Sequence, residues 1–252
     1  MFTIPDRIAG SMTGTQFAAS IMDMPLGPER ELAIFQQLSM GNVPSFMRTS
    51  SIVRLEGAAR VIEVEVLPDV LCVGTDSDFV RVPLNPKTAQ KVANAFDGVL
   101  ITPTLSSAIW LQASVRIDPM HVTMPPGNEM TSTKWFLLQN DKIEKERAGR
   151  GGLIAGHKKD VVLANALSKQ TPPDSHVAIY GWHMPNGVPI QGLNPTSHAI
   201  WYADYSHGIR LISEDLTVNG DIVSFYEAVG DPTLAPLLNT EGVLTYTRYP
   251  TA

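Results

Sequence analysis

Ile62-Glu63-Val64-Glu65-Val66 alternates apolar with acidic side chains at every step, the two-residue period of a strand with one buried face and one wet face. Ser51 to Leu55 reads as its hairpin partner, and Val70 to Val73 as a third strand. Upstream, Gly27-Pro28-Glu29 opens a segment in which Leu32, Phe35 and Leu38 recur at helical spacing until Gly41, so it has a start, a face and a stop. Downstream, Asn85-Pro86 opens a second helix striped by Ala89, Val92, Ala93 and Phe96 and closed by Gly98, and Pro103 to Ala113 fits a third. Val115 to Met130 is a Pro- and Met-rich connection, and Lys134 to Arg147 fits a helix or an exposed charged segment. Gly149-Arg150-Gly151-Gly152 breaks it and is the best internal boundary.

Beyond that cluster the character changes. Leu153 to Ala155, Val161 to Leu163, Val177 to Tyr180, Ala199 to Tyr202 and Ile209 to Ile212 are short apolar bursts separated by Gly, Pro, Asn and Asp, as in antiparallel strands joined by tight turns. Ile222 to Leu238 returns to helical spacing, interrupted at Asp231-Pro232 and Pro236. The expectation is an α+β fold: a helix-rich part with a β-hairpin over 1–150 and a β-rich antiparallel part over 151–252, the two forming one compact unit.

The chain has 252 residues, 44% of them hydrophobic and 17% charged, with 19 Gly and 19 Pro, a composition of loop-rich globular proteins rather than disordered ones. A net charge of −6 without a long basic block disfavours nucleic acid, whose binding needs a concentrated positive surface. No apolar run reaches the ~20 residues of a membrane span, and Met1-Phe2-Thr3-Ile4-Pro5-Asp6-Arg7 is not a signal peptide. As it stands, the chain reads as soluble and without an export signal. Cys72 is the single cysteine and sits in an apolar stretch, so no internal disulfide forms.

Five of six histidines, His157, His176, His183, His198 and His207, fall within about fifty residues of the β-rich part, and imidazole is the side chain that exchanges protons near neutral pH. His176 and His198 lie in Pro- and Ser-containing turns and read as exposed. His157, His183 and His207 end strand-like bursts, where a scaffold presents side chains into a cleft. Gly156-His157-Lys158-Lys159-Asp160 joins an imidazole, two ammonium groups and a carboxylate: Lys158 or Lys159 is positioned to neutralise an anionic group or a developing oxyanion, and Asp160 to orient a histidine. In Tyr180-Gly181-Trp182-His183 an aromatic platform flanks an imidazole.

Tyr202 to Leu211 is the densest constellation, with Asp204, Tyr205, Ser206, His207 and Arg210. Strand alternation would put Asp204, Ser206, Gly208 and Arg210 on one face and Tyr205, His207 and Ile209 on the other, so Ser206 would need His183 or His157 as its base. Gly74-Thr75-Asp76-Ser77-Asp78 has the alternate carboxylates of a calcium loop but no later acidic ligand, and reads as a turn.

Ser206-His207-Gly208-Ile209-Arg210-Leu211 resembles the Ser-His-Gly-Cys-Ile-Arg-Leu signature of L,D-transpeptidases, cell-wall enzymes that act through a cysteine thiolate. The cysteine is missing, which excludes that mechanism here, and Cys72 stands in an unrelated context. A wider resemblance rests on Gly41 to Arg48, Gly74 to Phe79, Gly156 to Val162, Tyr180 to His183 and Asp204 to Arg210. These segments are similar to a family of mostly secreted microbial proteins of unsettled activity. The resemblance implies that both parts form one unit, with a secreted or periplasmic location.

Taken together, the sequence leads to a hydrolase or acyl transferase acting on an amide, ester or glycosidic bond of an extracellular or cell-wall polymer by histidine acid–base chemistry, without cofactor or metal. The expected catalytic residues are His157, Asp160, His183, Asp204, Ser206 and His207. Lys158, Lys159, Tyr180, Trp182, Tyr205 and Arg210 are the expected substrate contacts. Two alternatives stand beside it: a non-catalytic glycan or peptide module using Trp182, Trp201, Tyr202 and Tyr205, and a zinc hydrolase built on His157, His183 and His207 with Asp160 or Asp204. The protein's partner is then a polymeric or small-molecule substrate.

Overall fold

In the computed structural model, which describes residues 1–57, 59–120 and 128–252, the chain runs through α1 (Gly14–Ser20), α2 (Pro28–Ser39), β1 (Ser51–Gly57), β2 (Arg60–Val66), β3 (Cys72–Gly74), β4 (Phe79–Arg81), α3 (Pro86–Ala95), β5 (Gly98–Leu100), α4 (Pro103–Gln112) and β6 (Val115–Arg116). It continues through α5 (Thr133–Arg147), β7 (Ile154–Ala155), β8 (Lys159–Val161), β9 (His176–His183), β10 (Pro189–Ala199), β11 (His207–Gly208), β12 (Leu211–Val218), β13 (Asp221–Ser224), α6 (Phe225–Gly230) and α7 (Ala235–Leu238). The architecture is α+β, with open and mainly antiparallel sheets. Among the described residues no helix is long and apolar enough to cross a membrane.

The alternating stretch is β2. Ile62, Val64 and Val66 are buried while Glu63 and Glu65 lie nearer solvent, and β1 pairs with it antiparallel, Val53 opposite Val64. On its other edge β2 pairs with β12 from the far end of the chain, and β12 also takes β5 and β13. This sheet therefore draws strands from both sides of the glycine cluster at 149–152. Within that cluster the chain turns and enters β7, which pairs parallel with β6.

Helix starts follow local chemistry. Asn85 accepts a hydrogen bond from the Thr88 backbone N–H at 2.9 Å and Thr102 one from Leu105 at 3.2 Å, each cap contributing about 1 kcal/mol. The charged segment before the glycine cluster is a helix, α5. Part of the Pro- and Met-rich connection, 121–127, lies outside the described residues.

The structure differs from the sequence reading in several details, first on α2, where Ile34 and Leu38 are buried while Leu32 is exposed. The Ala199 to Tyr202 burst ends β10 and then turns, while β10 itself is an eleven-residue strand that no apolar run announced; among the described residues it has a strand neighbour on one side only, so it needs no continuous apolar face. The tail begins as strand β13 before α6 starts at Phe225, because Asp221 to Ser224 pairs with Val218 to Asp215 before Ser224 and Glu227 form a capping box.

Gly41 to Arg48 and Gly74 to Phe79 are bound to each other and to the N-terminal arm. The Gly74 N–H donates to the Asn42 carbonyl at 3.1 Å, and the Gly14 N–H to that of Asp78 at 2.8 Å. Asp76 accepts from Ser45 N at 2.6 Å and Ser45 Oγ at 2.5 Å, and Arg48 donates to Pro5 and Gly41 carbonyls. The acidic loop is thus a hydrogen-bonded turn whose Asp76 and Asp78 carboxylates serve Ser45 and Thr15. Gly74 has φ +129°, and a Cβ there would stand 2.6 Å from Gly14 N. Gly74→Ala should cost about 2 kcal/mol through backbone strain and overpacking, read as a lower urea midpoint at unchanged slope.

Candidate functional site

Most of the sequence-predicted site residues lie on or beside one four-stranded sheet, in the order β10-β9-β8-β11. His207 is the register partner of Lys159, and Asp160 of Tyr180. Paired residues share a face while neighbours alternate, so Lys159 and His207 face one way, Asp160 and Tyr180 the other. At the end of β9, Gly181 and Trp182 both take positive φ, +111° and +54°, which breaks the alternation. His183 consequently joins Tyr180 on the α4 side, and Trp182 turns to meet Lys159, whose Nζ lies 4.8 Å from the indole centroid.

On the α4 face, Ser106 Oγ donates to Asp160 Oδ2 at 2.6 Å, and burial raises the Asp160 carboxyl to about 6 against the opposing pull of Arg210. Ser107 Oγ lies 3.3 Å from His183 Nε2 and 3.0 Å from the Tyr180 hydroxyl. The His183 ring stacks on Trp110 at 5.6 Å, and burial lowers its pKa to about 4. Ser107 and Tyr180 line a shallow cleft of about 390 Å³.

His157 belongs to a third environment. Its Nε2 lies 2.9 Å from Asp69 Oδ1, while Arg81 donates from Nη2 to Asp69 Oδ2 at 2.6 Å, and all three side chains are buried. Burial opposes the Asp69 charge, but Arg81 and then His157 overcome it and hold the carboxyl well below its usual range. Burial puts the His157 ring at about 4. This is a closed network tying the β2–β3 loop, β4 and the approach to β8 together.

The face carrying His207 holds the richest cluster. His207 is fully buried, at 0% exposure, and neither ring nitrogen has a hydrogen-bond partner among the described residues. Its ring meets His198 edge-on at 5.7 Å and Tyr202 at 5.8 Å, and His198 stacks flat on Tyr202 at 4.5 Å. Asp204 accepts from the Tyr202 hydroxyl at 3.1 Å, from Ser206 N at 2.8 Å and from Ser206 Oγ at 2.6 Å. Burial works against the Asp204 charge, yet the adjacent His207 ring, the two Ser206 hydrogen bonds and the Lys159 ammonium keep it below the ordinary carboxylate value. Burial lowers His207 to about 4, so the ring is neutral at pH 7. Lys159 and half-buried His198 are likewise lowered, first by burial, and both feel the Asp204 charge.

Several expected contacts have structural partners instead. Lys158 is buried, donates to Gln139 Oε1 and to the Tyr205 carbonyl, and burial lowers it to about 7. Arg210 donates to the Leu67 carbonyl at 2.9 Å and the Ile154 carbonyl at 2.6 Å. Trp182 is buried with its Nε1 on the His157 carbonyl, Tyr205 is buried too, and Ser206 Oγ is held by Asp204 rather than by His183 or His157. His198 and Ser107 were missed: the first looked like a turn histidine, and the second sits inside an apolar helix with nothing in its spacing to mark it. Trp201, 62% exposed, is the accessible indole.

The three imidazoles His157, His183 and His207 thus each have their own surroundings, with no hydrogen bond joining any two among the described residues. Nor does any group of three His, Cys, Asp or Glu side chains among the described residues have a metal-holding arrangement. No protein-family model matches the chain, and neither a curated protein nor a solved structure matches it.

Proposed function

We propose that the His198–His207–Asp204–Lys159–Tyr202 cluster is the acid–base centre of a hydrolase or acyl transferase acting on an amide or ester bond of an extracellular or cell-wall polymer. The observation that carries this reading is His207: a buried imidazole whose ring nitrogens have no partner among the described residues, set edge-on against the stacked His198 and Tyr202 rings and beside an ionised carboxylate. Burying polar nitrogens unpaired is costly, and such arrangements concentrate at functional sites. His198, whose ring reaches solvent, is the group that exchanges protons with the substrate or its attacking water. His207 and Asp204 set its proton affinity from behind, and Lys159 stabilises negative charge that develops on the substrate. Because Ser206 Oγ donates to Asp204, the nucleophile comes from outside the chain: water in hydrolysis, or the amine or hydroxyl of an acceptor in acyl transfer. Glycoside cleavage usually uses two facing carboxylates, and this cluster offers one. A secreted or periplasmic setting, as the family resemblance implies, fits a polymer substrate.

The test is turnover of purified microbial cell-wall material and of small peptide and ester substrates by the wild-type chain and its variants. His198→Ala should reduce kcat by about 10²–10⁴-fold with ligand affinity kept. His207→Gln should shift the pH profile of kcat, and chelator should leave activity unchanged. Absence of turnover together with retained polymer binding would favour the module reading, for which exposed Trp201 and neighbouring Tyr202 supply a platform.

A further inference from the structure

A cleft of about 580 Å³ opens beside this cluster, with Tyr202 as the shared wall and Asp23, Arg30, Ser132 and Trp201 around it. Arg30 stands in the first turn of α2 and is only 1% exposed. Its guanidinium lies over the Phe136 ring at 5.0 Å, and Nη1 donates to the Thr131 carbonyl at 2.5 Å. Its Nε has no hydrogen-bond partner among the described residues, and no ion pair among them includes it. Neighbouring Glu31 is directed to the Asn85 N–H on the next helix. Among the described residues this guanidinium forms no ion pair and leaves its Nε unbonded, with Glu31 beside it acting through its charge alone; lining a cleft, it is a demand for an anion, because the charge is desolvated and its fork matches two oxygens.

We infer that Arg30 receives a carboxylate of the ligand, so the cleft selects a chain bearing a free carboxylate on the side of the scissile bond that lies past Tyr202. One guanidinium faces the cleft, and Asp23 stands exposed on its rim, which suits a monoanion better than a dianionic phosphate. The inference takes its substrate orientation from the proposed hydrolytic centre, but its binding test requires no turnover.

Benzoate, its neutral isostere benzamide and inorganic phosphate serve as probes of the full chain by two-dimensional NMR, following the Arg30 Nε–H resonance and the backbone at 23–26 and 131–132. Benzoate should give saturable shifts there, with benzamide about tenfold or more weaker. Arg30→Lys, which keeps the charge but not the fork, should weaken benzoate by a similar factor; Arg30→Met should abolish its binding. If Arg30→Met fails to fold, the benzoate–benzamide contrast in the wild type decides alone. His198→Ala should leave benzoate binding intact, so a cleft that binds carboxylate in a chain without turnover would uphold this inference while removing the catalytic one. Equal binding of benzoate and benzamide, shifts elsewhere on the surface, or phosphate binding more tightly than benzoate would overturn it.

Discussion

Arg81→Met should lower the unfolding free energy by about 3–5 kcal/mol at neutral pH, because it leaves a buried carboxylate without its cation. Asp69 and Arg81 are both fully buried. The guanidinium donates from Nε at 3.0 Å and Nη2 at 2.6 Å to Asp69 Oδ2, from Nη1 to Asn140 Oδ1 at 3.1 Å, and pairs with Glu144 at 2.8 Å. Methionine fills much of the arginine volume, so the loss isolates charge and hydrogen bonding from cavity formation. What remains to Asp69 is His157 and the Val70 N–H at 2.7 Å. For a chain of this size the loss corresponds to a melting temperature lower by roughly 6–20 °C. Asp69→Leu combined with Arg81→Met should recover much of it, since removing both charges removes the desolvation penalty. A single-variant loss below about 1 kcal/mol would show that the pair contributes little and that Glu144 draws water into the network.

How far the sequence spoke depends on which physical signal each residue carries. The β2 alternation, the Asn85 cap and the Pro28 start are local statements about period and backbone chemistry, and the structure reproduces each of them. β10 is illegible because, among the described residues, it has a strand neighbour on one edge only and carries polar residues, with register shifts between Gln191 and Asn194 and between Asn194 and His198. The site was legible as a neighbourhood and not as an arrangement. Asp204, His207 and Lys159 do meet, but strand alternation said nothing about Gly181 and Trp182, whose positive φ values direct His183 to the other face. Lys158 and Arg210 looked like chemistry because they are charged. Their carbonyl and amide acceptors are supplied by segments distant in the chain, Leu67, Ile154 and Gln139, and no local pattern encodes that.

The same distance separates His157 from Asp69, and it makes acid sensitivity the sharpest probe of the buried network. Burial keeps the folded ring neutral down to about pH 4, whereas the unfolded ring takes up its proton near 6.5. The folded pKa is the lower one, so the stability His157 contributes is complete above about pH 6.5 and is lost as the pH falls toward 4, where the unfolded chain holds a proton that the folded one refuses. One proton corresponds to about 1.4 kcal/mol per pH unit, about 3 kcal/mol across the interval. His183 and His207 act in the same direction. Glu31 and Asp160, raised by burial to about 7 and about 6, act in the opposite one. All four are common to the wild type and to His157→Gln, whose amide can still donate to Asp69 but cannot titrate. Urea unfolding from about pH 7.5 to about 4.5 should therefore give a flatter curve for the variant by about that slope. Parallel curves would mean that the ring does not titrate between the two states. A steeper variant curve would mean that Asp69 holds His157 as a cation, which would make Arg81 and His157 joint counterions of one carboxylate and leave a net positive charge to be balanced by Glu144.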